Sequence, residues 1–158
     1  MPIAGGGLED IGFKGEWVQM NHSFTAERAT IRGMHYQNAP FSEIKLVRCI
    51  RGRVFDVVID LRRNSSTFLN WFGLELSPDI GNMLFIPKGF AHGFQALDSD
   101  CELLYHHSAY YEPRAETGIR FDDPCININW PLPVGLISER DLSHPLLTNE
   151  FKGMSYEM

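Results

Sequence analysis

The sequence predicts an all-β fold, arranged as a barrel or as two packed sheets in a jelly roll. Short β-branched and aromatic runs with partial alternation recur along the chain, and turn residues separate them at intervals of about ten residues. No long segment shows the 3.6-residue apolar period of a helix. The chain has 158 residues, which is the size of one domain, and we expect residues 1–158 to form a single domain.

The predicted strands follow one another through the middle of the chain. They are residues 44–50, 53–61, 67–76, 82–86, 90–96 and 101–107. Arg51-Gly52 stands where a hairpin turn would join the first two of them. After Tyr111 prolines recur, and we expect a short irregular C-terminal segment with at most one helical turn over residues 137–143.

The composition argues against nucleic acid or a membrane as a partner and against secretion. Lys and Arg total 14 against 20 Asp and Glu, a formal net charge of −6, so nucleic acid is not an expected partner. No apolar run reaches the ~18 residues of a membrane span, and residues 1–15 lack the pattern of a secretory signal. Cys49, Cys101 and Cys125 are far apart, as in a protein with reduced thiols. We therefore expect a cytoplasmic protein that does not bind membranes.

Several polar side chains interrupt otherwise apolar strands. Arg32 and His35 lie three residues apart, so they face opposite sides of a strand unless a bulge or turn intervenes. The sequence leaves that question open. Lys45 shares a face with Val47 and Cys49, and if that face lines the barrel, its ammonium group needs an anionic or carbonyl partner.

Histidines in a small barrel also suggest a metal-binding cupin. That family binds its metal through an H-x-H pair, a Glu a few residues later and a His from a later strand. Gln37 stands where the second His of the pair is needed, although Glu43 and His92 could supply the remaining ligands. A metal-dependent cupin oxygenase or isomerase therefore stays an alternative, with Gln37 as the main objection.

A series of short motifs extends from about Gln19 to about Leu147. The motifs include Gln19-Met20-Asn21-His22-Ser23, Ile31-Arg32-Gly33-Met34-His35-Tyr36-Gln37, Lys45-Leu46-Val47-Arg48, Ile86-Pro87-Lys88-Gly89-Phe90-Ala91-His92-Gly93-Phe94, Leu104-Tyr105, Tyr110-Tyr111 and Leu136-Ile137-Ser138-Glu139-Arg140-Asp141. In this order and spacing they resemble the dTDP-4-dehydrorhamnose 3,5-epimerases, metal-free enzymes of deoxysugar-nucleotide synthesis. The resemblance implies a cupin fold, a double-stranded β-helix of jelly-roll type.

The resemblance also implies roles for the matching positions. His35 stands at the catalytic base, and Asp141 at the carboxylate that orients it. Tyr105 stands at the general acid, and Lys45 at the ammonium group that meets the C4 oxygen of the sugar. The positions that match the lining of the sugar-nucleotide site are Arg32, Gln19, Asn21, His92 and, near the nucleotide, Tyr111.

The implied reaction is epimerisation of a nucleoside-diphosphate 4-keto-6-deoxyhexose at C3 and C5, or at C3 only, as in rhamnose biosynthesis. The C4 carbonyl acidifies the protons on both carbons, and imidazole, with a reference pKa of ~6.5, is a suitable base. A tyrosine on the opposite face returns a proton and inverts the centre. Neither metal nor nicotinamide is required, so we expect no cofactor. The family dimerises, and we expect a homodimer.

One departure from the family supports a further alternative. The family usually opens with a D-x-R-G-x-F segment that helps to hold the nucleotide, and residues 1–16 contain no Arg. A non-catalytic cupin that binds a sugar nucleotide is therefore kept as an alternative.

Overall fold

The computed structural model describes residues 13–155, which form two antiparallel β-sheets. The strands are β1 (Gln19–Thr25), β2 (Ile31–Gln37), β3 (Lys45–Arg51), β4 (Val54–Asp60), β5 (Trp71–Leu76), β6 (Leu84–Ile86), β7 (Phe90–Ala96), β8 (Cys101–His107) and β9 (Glu116–Gly118), and a short helix, α1 (Glu139–Leu142), follows them. One sheet has the order β1-β8-β3-β6, and the other has the order β5-β4-β7-β2-β9. The predicted all-β class is confirmed.

The turn at Arg51-Gly52 joins the two sheets and does not close a hairpin. β3 pairs with β6 and β8, whereas β4 pairs with β5 and β7. The hairpin prediction is wrong because turn residues indicate a chain reversal but not which sheet the next strand joins. Gly52 has a φ of 73°, and a Cβ there would lie 2.7 Å from Sγ of Cys101, so the crossing requires glycine.

Two strands begin later than predicted, since β6 begins at Leu84 and not at residue 82, and three strands lie outside the predicted ranges. Residues 67–70 form a turn, with Leu69 at a φ of 64°, so β5 begins only at Trp71. β9 lies in the segment expected to be irregular, where its residues pair with β2. β1 and β2 precede the predicted strands. Both contain frequent polar residues, so neither shows the apolar run by which the other strands were recognised.

Apolar side chains pack on both faces of the five-stranded sheet. Val54 and Val58 face the layer between the sheets, whereas Val57 and Ile59 face outward. The outer layer is completed by residues of the C-terminal part of the chain, namely Ile119, Ile126 and Met154. Burial on both faces explains why β4 has an almost continuous apolar sequence.

The described residues include no helix of the length and hydropathy that crossing a bilayer would require. Most of residues 1–16, the stretch without a counterpart of the family's N-terminal motif, lies outside the described part of the chain.

Candidate active site

Side chains from both sheets line a pocket of about 520 Å³. This volume suits a small-molecule ligand. Seven of the nine predicted site residues line it: Asn21, Arg32, His35, Lys45, His92, Tyr105 and Tyr111. The other two, Gln19 and Asp141, each contact a residue of the lining.

A bulge in β2 brings Arg32 and His35 to the same pocket. The register of β2 against β7 shifts between these two residues, and Gly33, which lies between them, has a φ of 124°. A Cβ at Gly33 would lie 2.6 Å from Cα of Gly93, so a larger residue would not fit at this close approach of the strands. The bulge answers the question that the three-residue spacing left open.

Asp141 is held on both of its carboxylate oxygens by β2. Its Oδ1 lies 2.5 Å from Nε2 of His35, and its Oδ2 accepts a hydrogen bond of 3.1 Å from the backbone N–H of Gly33. Ser138 caps α1 by accepting a hydrogen bond of 3.1 Å from the backbone N–H of Asp141. The His35–Asp141 pair therefore joins the sheet to the start of α1.

The electrostatics of this pair orient the imidazole. Burial raises the pKa of Asp141, but the hydrogen bond from His35 and its charge outweigh this, and the pKa lies below its usual value. An ionised carboxylate only accepts hydrogen bonds, so Nε2 of His35 carries a hydrogen and Nδ1 of the neutral ring carries the lone pair. The side chain of His35 is 29% exposed against 4% for Asp141, so the base can be reached by a ligand.

Tyr105 lies on β8, in the sheet opposite to that of His35. Its Oη accepts a hydrogen bond of 3.3 Å from Oγ of Ser23, and its ring packs edge-on against His92 with centroids 6.0 Å apart. Burial raises the pKa of Tyr105 well above its usual value. The hydroxyl therefore keeps its proton at neutral pH, as a general acid must.

Lys45 has the anionic partner that its inward position requires. Its Nζ lies 3.2 Å from Oε1 of Glu43, and Oε2 of the same carboxylate lies 2.8 Å from Nδ1 of His107. Val47 and Cys49 are buried on the same face of β3, as the alternation predicts. Sequence reasoning considered Glu43 only as a metal ligand and gave His107 no role.

The residues that stand at the ligand positions of a metal-binding cupin are each hydrogen-bonded or paired to another protein group. Nε2 of His92 lies 2.7 Å from Oδ1 of the buried Asp56. The amide of Gln37 is hydrogen-bonded on both sides to backbone groups. His35, Glu43 and His92 line the same pocket, but within the described residues their ligand atoms do not form a group close enough to hold one ion.

One group of described residues has a metal-compatible donor set, namely His35, Asp141 and His144. One ligand atom from each lies within 4.8 Å of the others. His144 packs edge-on against His35 with ring centroids 5.9 Å apart, and burial lowers its pKa. A cation there would compete with the hydrogen bond that orients His35.

Hydrogen bonds of Gln19 and Arg32 hold the residues around the pocket in place, although Gln19 itself does not line the cavity. Oε1 of Gln19 accepts a hydrogen bond of 3.0 Å from the backbone N–H of Tyr111, and its Nε2 donates one of 2.9 Å to Asn21. Arg32 donates to Oγ1 of Thr25 at 3.0 Å and to a backbone carbonyl of β1 at 3.1 Å. Gln19 thus positions lining residues instead of lining the cavity.

Sequence reasoning missed Glu116 and Arg140. Glu116, on β9, lines the pocket and lies 2.5 Å from a guanidinium nitrogen of Arg140. The hydrogen bond to Glu116 is the main cause that raises the pKa of Tyr111. Both charged residues lie in the C-terminal segment, where apolar and polar residues show little alternation. The one feature of the sequence that pointed to either of them is that Arg140 directly precedes Asp141.

Comparisons with known proteins agree over most of the chain. A family model described as dTDP-4-dehydrorhamnose 3,5-epimerase matches residues 6–149. The dTDP-4-dehydrorhamnose 3,5-epimerase of Shigella flexneri is 44% identical over 135 residues, which are 85% of this chain and 74% of that protein.

Two solved structures share the fold. The dTDP-4-dehydrorhamnose 3,5-epimerase of Bacillus anthracis, determined with TDP and PPi bound, is 39% identical with a TM-score of 0.86, over 89% of this chain and 80% of that one. The dTDP-6-deoxy-D-glucose-3,5-epimerase of Legionella pneumophila, in complex with dTDP-4-keto-L-rhamnose, is 36% identical with a TM-score of 0.88, over 96% of this chain and 81% of that one.

Proposed function

This chain belongs to the dTDP-4-dehydrorhamnose 3,5-epimerase family, and from that premise we propose that its pocket epimerises a nucleoside-diphosphate 4-keto-6-deoxyhexose at C3 and C5. It is an enzyme of the isomerase class. The observation that carries the proposal is that His35 and Tyr105, an oriented base and a protonated acid, line one pocket from opposite sheets.

The first step is proton removal next to the C4 carbonyl. Nδ1 of His35 takes the proton from C3 or C5, and the C–H electron pair moves into an enolate. Asp141, ionised and hydrogen-bonded to Nε2, stabilises the imidazolium that forms.

Lys45 stabilises the negative charge that develops on the C4 oxygen. Its ammonium group is held in the pocket wall by Glu43 at 3.2 Å. A donor that is positioned before the charge appears needs no reorganisation, and one such donor commonly contributes about 3 kcal/mol to transition-state stabilisation.

Tyr105 completes the inversion from the other side of the ring. The carbanionic carbon takes the phenolic proton and forms a new C–H bond on the face opposite to His35. Proton exchange with solvent then restores the neutral imidazole and the phenol, so the cycle uses no oxidant or reductant.

The remaining predicted residues bind the substrate. Arg32 holds the diphosphate at the pocket mouth through charge-assisted hydrogen bonds. Asn21 and His92 contact the sugar nucleotide, and Tyr111, positioned by Gln19, lies against the nucleotide. The nucleotide is a thymidine diphosphate, as in the ligands of the Bacillus anthracis and Legionella pneumophila enzymes.

The chain acts as a single domain that forms a homodimer. The support for the dimer is β1, which lies at the end of the four-stranded sheet and exposes Met20 by 63% and Phe24 by 50%. An edge strand with exposed apolar side chains favours pairing with a second copy. Sedimentation equilibrium should give a dimer mass, and Met20→Lys with Phe24→Lys should shift it to the monomer.

The deciding experiment is incubation with a dTDP-linked 4-keto-6-deoxyhexose in heavy water, followed by mass and NMR analysis. Deuterium at C3 and C5 with inversion at both carbons is the expected result, whereas deuterium at C3 alone would restrict the enzyme to 3-epimerisation. Binding without deuterium uptake would contradict catalysis and support a non-catalytic sugar-nucleotide cupin. Activity that is lost on chelation and restored by a divalent metal would contradict the metal-free mechanism.

A further inference from the structure

Three polar side chains, Lys45, Glu43 and His107, lie next to one another in the pocket wall. Lys45 on β3 and His107 on β8 are directly opposite in the ladder of the four-stranded sheet, and residues in this relation share a face. All three side chains line the pocket, and between 10% and 13% of each is exposed. Since they are largely buried, their interactions with one another are strengthened by the low dielectric around them.

Glu43 connects the other two members of this group. Its Oε1 lies 3.2 Å from Nζ of Lys45, and its Oε2 lies 2.8 Å from Nδ1 of His107. Burial raises the pKa of Glu43, but the hydrogen bond from His107 and the charge of Lys45 outweigh it, and the pKa lies below its usual value. Glu43 is therefore ionised at neutral pH, and each of its oxygens only accepts hydrogen bonds.

The imidazole of His107 carries its hydrogen on the nitrogen next to Glu43. The other ring nitrogen, Nε2, is buried, and within residues 13–155 it has no hydrogen-bond partner. A hydrogen on Nε2 would be buried without an acceptor, which costs free energy. Nδ1 is the donor instead, and its hydrogen bond to the Glu43 carboxylate is charge-assisted.

This hydrogen bond fixes the carboxylate through which Lys45 is held. Glu43 is the only acidic group paired with Nζ of Lys45 in the part of the chain that the structure describes. Because His107 occupies Oε2, the carboxylate presents Oε1 to Nζ and cannot rotate freely. An ammonium group has three hydrogens, so Lys45 is held in place with hydrogens left for a ligand in the pocket.

We infer that His107 is a positioning residue for the proposed reaction: through Glu43 it holds the ammonium group of Lys45 where the C4 oxygen acquires negative charge. The inference rests on the proposed function, because that assigns the C4 oxygen to Lys45. His107 does not touch the sugar in this role. Without its hydrogen bond the carboxylate rotates and the ammonium group moves with it, so enolate formation loses a donor that is fixed in advance.

A contact with Tyr105 offers His107 an alternative route to the reaction. The two rings lie nearly parallel, with centroids 6.1 Å apart. Enolate formation precedes both deuterium uptake and inversion, so an effect through Lys45 slows both by the same factor. An effect through Tyr105, which delivers the second proton, slows inversion and spares uptake.

The test compares His107→Leu with His107→Asn. Both new side chains branch at Cγ and both lose the ring contact with Tyr105, but only the amide keeps an N–H near the position of Nδ1. His106→Asn is the control, because His106 lies on the opposite face of β8, where its ring contacts that of Trp17. For each variant, kcat and KM for deuterium uptake and for inversion are measured with a dTDP-linked 4-keto-6-deoxyhexose in heavy water.

His107→Leu should lower kcat for uptake and for inversion alike, by roughly 10- to 100-fold. KM should stay nearly unchanged, because the charge on the C4 oxygen develops only as the reaction proceeds. His107→Asn should recover most of the loss, and His106→Asn should behave as the wild type. Thermal unfolding of each variant gives the folded fraction to which kcat is referred.

A double-mutant cycle with Lys45→Met shows whether His107 acts through Lys45. In the Lys45→Met background, His107→Leu should change kcat by less than about 2-fold. Glu43→Gln breaks the connection at its centre and tests the same role in case His107→Leu does not fold. It should also lower kcat at a nearly unchanged KM.

Three results would overturn the role of His107 and leave the proposed function intact. They are equal losses in His107→Leu and His107→Asn, slow inversion with wild-type deuterium uptake, and the full loss from His107→Leu in the Lys45→Met background. A wild-type kcat in Glu43→Gln would overturn it as well. Absence of deuterium uptake by the wild-type enzyme, in contrast, would overturn the proposed function and this inference with it.

Discussion

Two histidines lie directly opposite each other on neighbouring strands, and each is bound to an aspartate. His35 on β2 faces His92 on β7 in the ladder of the five-stranded sheet. Their Nε2 atoms lie 2.5 Å from Asp141 and 2.7 Å from Asp56, respectively. The chemical pair is the same, but the side chain of His35 is 29% exposed whereas that of His92 is 6% exposed.

The two aspartates come from different elements of the fold, and this explains why the two histidines differ in exposure. Asp56 lies within the same sheet, on β4, and is fully buried, and the His92 that it holds lines the pocket with only a small part of its side chain exposed. Asp141 comes from α1, outside the sheet, so it holds His35 from behind and leaves the other nitrogen accessible. The His35–Asp141 pair is therefore the better candidate for the base, because more of its imidazole is exposed to a ligand.

The largest effect is expected from replacing His35, the more exposed of the two histidines. His35→Ala should abolish both deuterium uptake and inversion, a loss of about 10⁴-fold, because no other group takes the proton. The measurement is mass analysis of the sugar after incubation in heavy water. Substantial uptake by His35→Ala would move the role of base to another side chain, with His92 and His107 as the first candidates.

Asp141→Asn should lower kcat on the order of 10³-fold with KM nearly unchanged. The amide can donate to Nε2 of His35 and so favour the wrong tautomer, and it no longer stabilises the imidazolium. Steady-state kinetics of the variant are compared with those of Asp56→Asn. Equal losses of kcat in the two variants would show that accessibility does not distinguish the two pairs.

Tyr105→Phe tests the wall opposite His35. It removes only the hydroxyl, so His35 should still remove a proton and return a solvent-derived one to the same face. Deuterium uptake should persist while inversion slows on the order of 10²-fold. Inversion at the wild-type rate would identify Tyr105 as a plain core aromatic.

Asp56→Asn should act on stability more than on catalysis. The substitution leaves His92, which is buried, with a weaker partner, and we expect the free energy of unfolding to fall by about 1–3 kcal/mol. Urea denaturation gives this value, with Asp79→Asn, at an exposed position, as the matched control. A change within about 0.5 kcal/mol, as for ordinary surface substitutions, would contradict a structural role for the His92–Asp56 pair.

The smallest effect concerns the pH dependence of stability. The folded-state pKa of Asp141 lies below its usual value, so its contribution is present above the unfolded-state pKa, about 4, and is lost as pH falls through the folded-state pKa. The decrease in unfolding free energy between pH 5 and pH 3 should therefore be less steep in Asp141→Asn than in the wild type. Parallel curves from urea denaturation across this range would contradict the lowered pKa.

The sequence by itself determined the strands whose apolar alternation is clear. The predicted residues 44–50 and 101–107 agree with β3 and β8 to within one residue at each end. Alternation also placed Lys45 on one face with Val47 and Cys49, so that its ammonium group needs an anionic or carbonyl partner if that face lines the barrel. These features depend on neighbouring residues along one strand, and local sequence carries that information. The role of His35 as base, in contrast, came from the family resemblance and stays a prediction.

Only the tertiary structure decided how the strands divide between the sheets and which polar groups meet. The turn at Arg51-Gly52 has the residues of a hairpin, yet the next strand joins the other sheet. Asp141 meets His35 across 106 positions of the sequence, and Glu43 meets His107 across 64. The bulge at Gly33 depends on the close approach of Gly93 on β7. Such contacts arise from the packing of distant strands, and no pattern within a few residues of either partner specifies them.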